Sequence, residues 1–278
     1  MVEEMSNALK IVLIILLSII ALALIGILCL LLVRGDKFNF SIFSSRESTT
    51  IVEEKNIEEL KNINIDIDYA DLEINLSNDN NIDIKLYSED AKEHSISIEE
   101  DINVVFKQEK KIFSFFRKSP RAVISIPKDY DKIVTVKGGV LDIKGCGTDK
   151  LILNVTLNVG DVKVDNMDIA NIKIQTGDVK LDTVNDLTVD SKTGDIKVKN
   201  VNKKLDITSN VGDVKIDRVY LTLNSKINNS TGDVKIGKVN DIYVDGKTNV
   251  GDVKIEGGDR KSDIELSIKS HIGDIKVG

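Results

Sequence analysis

The side chains able to carry chemistry in this sequence are many aspartates, two histidines and two cysteines. His94 sits in a polar stretch, and His271 lies two residues before a glycine, where equivalent positions hold Asn210, Ser230 or Asn249. An acyl-transfer triad or a zinc site needs His converging with Ser, Asp, Cys or a second His, and no such set is spaced here. No catalytic residue, metal ligand or cofactor site is therefore assigned. Cys29 lies inside a long apolar run. Cys146 falls seven residues after Gly139, in the register of Met167 and Val184, which makes it a small core residue. The aspartates recur in the pattern Gly-Asp-Val/Ile-Lys-apolar, which invites a calcium reading. Calcium β-rolls use paired glycines at a nonapeptide period, whereas these glycines are single and each Asp has a Lys two positions on. They also precede strands rather than helices, so they form no phosphate-cradling loop.

The elements that would position these residues are set by the same pattern. It begins at Gly160, Gly177, Gly194, Gly212, Gly232, Gly251 and Gly273, with steps of 17, 17, 18, 20, 19 and 22 residues. Alternation with period two puts Val162 with Val164, Val179 with Leu181, and Ile196 with Val198 on an inner face, and Asp161 and Lys163 toward water. A further apolar position recurs seven residues after the glycine, as Met167, Val184, Val201, Val219 and Val239. Alternating pairs precede each glycine, such as Leu187 with Val189, Leu205 with Ile207 and Leu221 with Leu223. A unit this short cannot bury its own apolar face, but units stacked about 4.8 Å apart turn each inward position into a continuous column. The fold class is all-β, a parallel β-solenoid, or single-stranded β-helix. The crossover rule favours a right-handed winding. The glycines sit at corners, where positive φ or close backbone approach is needed. Burial of a Val or Ile is worth roughly 1.5–3 kcal/mol against about 0–1 kcal/mol for an exposed Asp–Lys pair. The charged face reads as solvated.

Taken in order, residues 1–10 form a short tail and residues 11–33 an uncharged run long enough to cross a bilayer as one helix. No A-x-A cleavage site follows it, which argues for a retained anchor. Lys10 flanks one side and Arg34, Lys37 and Arg46 the other, a bias toward a cytoplasmic domain on the charge rule alone. Residues 34–61 read as a polar linker, with a helical turn at Ile57–Leu60, and residues 62–278 as the solenoid. Its first coils are less regular: Ile63, Ile65 and Ile67 alternate, Ala70-Asp71-Leu72-Glu73-Ile74 is a degenerate repeat, and Ile82, Ile84 and Leu86 continue. Gly139, Leu141 and Ile143 take up the glycine and two inward positions.

Residues 95–126 stand apart. They read as a β-hairpin with a basic and aromatic tip carrying Lys110, Lys111, Phe113, Phe115, Phe116, Arg117, Lys118 and Arg121. The tip either caps the first coil or touches anionic headgroups or wall polymers. A net charge of −7 and the lack of a long basic stripe exclude nucleic acid as a partner. At the other end the chain stops at Gly278, one residue past a repeat strand. That leaves a terminal coil expected either to pair with a second copy or partner, or to lie under a preceding loop.

Thr/Val-Gly-Asp-Val/Ile-Lys-Ile/Val, preceded by Val123-Ile124-Ser125-Ile126-Pro127 and Ile133-Val134-Thr135-Val136-Lys137-Gly138-Gly139, resembles the bacterial β-strand-repeat adhesin-type family of LiaG-like proteins. The resemblance covers Asn62 to Gly278. It implies a solenoid at the bacterial cell envelope, tethered by one N-terminal helix and facing outward, with no catalytic residues to carry over. The function expected is a non-enzymatic, single-pass, membrane-tethered binding protein. A regulator of envelope stress acting on a membrane signalling partner is the alternative. A wall-polysaccharide hydrolase ranks third, because no convergent carboxylate pair is identifiable.

Overall fold

The computed structural model describes residues 51–278 except 89–90 and 109–119. The expected tail (1–10), the membrane span (11–33) and the start of the linker lie outside the described residues, as do Lys110, Lys111, Phe113, Phe115, Phe116, Arg117 and Lys118. Every described element is a strand. The first lies within the expected linker, where β1 (Ile51–Ile57) pairs antiparallel with β3 (Ile82–Tyr87). Ile57 is a buried strand residue, and Glu58–Leu60 turn without a helix.

Between β1 and β3 in sequence comes β2 (Ile63–Ser77), which starts the parallel stack: its Ala70 to Ile74 lie against Leu141 to Gly145 of β7 (Ile133–Cys146). The degenerate repeat at Ala70 is thus a coil, as its sequence indicates. The residues that follow are not regular coils. β4 (Ala91–Ile98) and β5 (Ile102–Gln108) form an antiparallel hairpin, and β6 (Arg121–Pro127) runs antiparallel to β3. On the far side of β2 from β7, β5 and β6 lie parallel to its two halves. The 95–126 segment is therefore not one hairpin, because β5 and β6 point the same way along β2.

From β7 onward the chain winds as a stack. Its remaining strands are β8 (Ile152–Val159), β9 (Val162–Asp165), β10 (Met167–Thr176), β11 (Val179–Thr193), β12 (Ile196–Val211), β13 (Val214–Val219) and β14 (Ser225–Thr231). These are followed by β15 (Val234–Val239), β16 (Tyr243–Val250), β17 (Val253–Ile255), β18 (Glu265–Ile272) and β19 (Ile275–Val277). Residues before each repeat glycine form a long side, in the order β7, β8, β10, β11, β12, β14, β18, β16. Residues after it form a short side, in the order β7, β9, β11, β12, β13, β15, β19, β17. All of these pairings are parallel. Met167, Val184, Val201, Val219 and Val239 make a third column in register, as their spacing predicts.

Three positions depart from expectation. In β7 the repeat register is shifted by two residues, since Ile143 lies opposite Val162 and Gly145 opposite Val164. Leu141 and Ile143 stay buried because a shift of two preserves the pleat. Cys146 instead falls opposite Asp165, half-buried outside the core. Leu223 is exposed, and Ser225 begins the strand in its place, accepting the Leu205 N–H at 3.0 Å. The last coil in sequence is not the last in space. β18 and β19 slot between β14–β15 and β16–β17, so the open end of the stack is Tyr243–Ile255 and the coil ending at Val277 is enclosed.

The corners require glycine. A β-carbon on Gly194, at φ 137°, would lie 2.0 Å from the Gly177 carbonyl oxygen. Just before the corner, one inward column changes from Leu157 and Ile174 to Ser191, Ser209, Asn229 and Ser270. All four polar residues are buried. Asn229 spans two coils, its Nδ2 donating to the Gly212 and Gly232 carbonyls at 3.3 and 2.7 Å. The Ser191 and Ser209 hydroxyls have no partner.

Two stability outcomes follow. Gly194→Ala combines a backbone clash with a conformation that L-residues rarely adopt, and should cost about 2–4 kcal/mol in urea unfolding. Ser209→Ala removes a buried, unpaired hydroxyl, and should be neutral or stabilising by up to about 1 kcal/mol in the same assay.

Candidate functional site

On the short side of the stack, each coil presents the Asp and Lys of its repeat outward, and stacking brings each into a column. Asp142, Asp161, Asp178, Asp195, Asp213, Asp233, Asp274 and Asp252 follow one another. Each of these carboxylates up to Asp274 accepts the backbone N–H of the next aspartate through Oδ1. The seven hydrogen bonds are 2.8–3.0 Å long. The aspartates expected merely to face water are thus inter-coil braces. The spacing contained the signal, a carboxylate next to every corner glycine, but only the stacked geometry reveals the acceptor.

The lysines, by contrast, form a less engaged column: Lys144, Lys163, Lys180, Lys197, Lys215, Lys235, Lys276 and Lys254 in register. Lys197 bonds Asp195 at 2.9 Å, which lowers the Asp195 carboxyl below the usual carboxylate range, aided by the Asp213 N–H. Between Lys163 and Asp217 the column floors a shallow, open groove of about 470 Å³ lined by five lysines and three aspartates. One of the lysines, Lys199, pairs with Asp182. The groove is locally basic on a chain whose net charge is −7. It can hold an extended anionic chain at the surface.

Arg121, from the expected basic patch, is anchored. It lies 3.4 Å from Glu73 and 4.9 Å above the Tyr87 ring. His94 is exposed on β4, and His271 is on the long side at the opposite end of the stack, bonded to Asn249 at 3.1 Å. Among the described residues no group of three His, Cys, Asp or Glu is placed to hold a metal ion.

A family model for Toastrack DUF4097 matches residues 60–278, most of the chain. The chain belongs to the Toastrack DUF4097 family. The Toastrack domain is similar over its length to three solved structures. A "putative cell adhesion protein" from Clostridium sporogenes shares 15% identity, with 82% of this chain and 99% of that one covered and a TM-score of 0.32. A "putative adhesin" from Bacteroides fragilis shares 18%, with 83% and 98% covered and a TM-score of 0.48. A "putative lipid binding protein" from Parabacteroides distasonis shares 12%, with 81% and 96% covered and a TM-score of 0.39. No curated protein matches the chain.

The Asp195 carboxyl is depressed, so its contribution to stability is present above the unfolded-state value near pH 4 and is lost as pH falls through the folded-state value. Asp195→Asn should lose this surface contribution of under about 1 kcal/mol at pH 7, and should converge on wild type as pH falls through the depressed folded-state value. Asp195→Ala also removes the Asp213 acceptor, which adds about 1 kcal/mol at every pH. Melting temperatures of the three proteins from pH 2 to 8 check this, and parallel curves for wild type and Asp195→Asn would refute it.

Proposed function

We propose that this protein is a non-enzymatic binding module of the bacterial cell envelope, tethered by the apolar segment 11–33 with its Toastrack domain outside the membrane. Its ligand is an extended anionic polymer carrying phosphate or carboxylate groups, laid along the lysine column. One observation carries the reading: lysines repeat in register once per coil along an open, locally basic groove, matching a ligand that itself repeats. A linear polyanion meets several cations at once, so weak individual contacts sum along its length. The basic-aromatic residues Lys110, Lys111, Phe113, Phe115, Phe116, Arg117 and Lys118 supply a second contact to envelope or lipid.

The test is retention of the purified full chain on isolated wall material and on anionic vesicles. Lys163, Lys180, Lys197 and Lys215 changed together to Gln should lower wall retention at least about tenfold, with a shallower salt dependence than wild type. Changing Lys110, Lys111, Arg117 and Lys118 to Gln should weaken vesicle binding and leave wall retention intact. Wall retention unaffected by the four repeat lysines would sink the groove as the site. Protease digestion of a C-terminal tag on intact cells checks the outward orientation.

A further inference from the structure

The open end of the stack differs from every other coil. Val253 and Ile255 are 42% and 36% exposed, whereas the residues in their columns, from Val162 and Val164 to Ile275 and Val277, are buried to within 3%. β16 and β17 each have a strand partner on one side only among the described residues. The third side of this end is closed, because the loop after β17 folds back and the Asp259 N–H donates to the Ile242 carbonyl at 2.7 Å. What remains open is an eight-residue strand edge beside a small aliphatic patch.

We propose that this edge is a pairing surface for a second copy of the chain, joined end to end about a two-fold axis at Gly246. Antiparallel pairing of β16 with its counterpart satisfies the free edge N–H and C=O groups of both strands. The charge pattern fits a self-complementary contact. With the axis at Gly246, Asp245 of each copy lies opposite Lys247 of the other, while Val244 meets Thr248 and Tyr243 meets Asn249. Within one chain Lys247 already bonds Asp245 at 2.8 Å, so the dimer extends an existing pair into a four-charge cluster. The same join covers Val253 and Ile255. The surface is the sixth repeat, not the coil at the chain terminus.

Sedimentation of the full chain in detergent, over a range of protein concentrations, tests this. Wild type should form a concentration-dependent dimer. Asp245→Lys, which sets lysine against lysine twice, should weaken it at least tenfold, and Asp245→Lys with Lys247→Asp should restore it. Hydrogen exchange of wild type gives a readout that needs no variant: the β16 amides facing away from β18 should gain protection as the dimer forms. A monomer at all concentrations, or a dimer indifferent to Asp245→Lys, overturns the proposal. So does a double variant that fails to recover. Protection of those amides in a monomer would mean that another segment of the same chain lies on the edge, and overturns it equally.

Discussion

Close approach at the glycine corner is the constraint on which the stack depends. From Gly177 through Gly251, each repeat glycine has the preceding coil's glycine carbonyl oxygen 1.9–2.4 Å from where its own β-carbon would stand. Only a residue without a side chain permits that approach, and φ values of 128–142° exclude the others independently. The approach also brings each aspartate N–H within reach of the previous carboxylate. Corner and brace are therefore one device. A strand that slipped by one residue would lose both and turn its aliphatics outward.

Stability and register have different sources here. The buried columns supply the free energy, at roughly 1.5–3 kcal/mol for each fully buried aliphatic. The braces, at about 1 kcal/mol each, are too weak to hold the stack but strong enough to choose among registers that bury similar area. They also bring like charges into a row. At the start of that row the Asp71 carboxyl is pushed above its usual range, first by burial and then by Asp142. Further along, backbone N–H groups and the adjacent lysines offset the repulsion. The braces tie down the aspartates while most of the lysines stay free, so a repeat that looks neutral in sequence presents a cationic groove.

Much of this was legible because the repeat is periodic in both chain and space. The inward positions from Val162 to Val198 and the column from Met167 to Val239 follow from spacing alone. The all-β solenoid, likewise, follows from strands too short to bury themselves. Cys146 misled because Gly138-Gly139 imitates a corner two residues before the position that stacks on Gly160, and parity cannot separate alternatives differing by two. The antiparallel strands at the first coils were hidden because alternation reports which face is buried but not strand direction. The aspartate braces were missed for another reason: a carboxylate that accepts from a backbone 17 residues away looks, in sequence, like one that faces water.

The exchange of the last two coils has a cause within one column. Val155, Ile172, Val189, Ile207, Ile227 and Ile268 occupy successive inward positions, and β16 places Gly246 there instead. In the middle of a stack that glycine would leave a void flanked by aliphatics above and below, and a cavity of that kind costs several kcal/mol. At the end only one side needs filling. There Ile255 and Val253 fold inward until their methyl groups stand 3.0 and 3.3 Å from where a Gly246 β-carbon would lie. Ile268 suits an interior place and fills it between Ile227 and Gly246. The chain accordingly leaves one slot open after β15, builds the glycine-bearing coil beyond it, and returns through the loop after β17 to close the gap with its better-packed final repeat. Backbone hydrogen bonding is nearly indifferent to the order, since both coils carry the same Gly-Asp corner. Packing at a single inward position decides which repeat ends the stack.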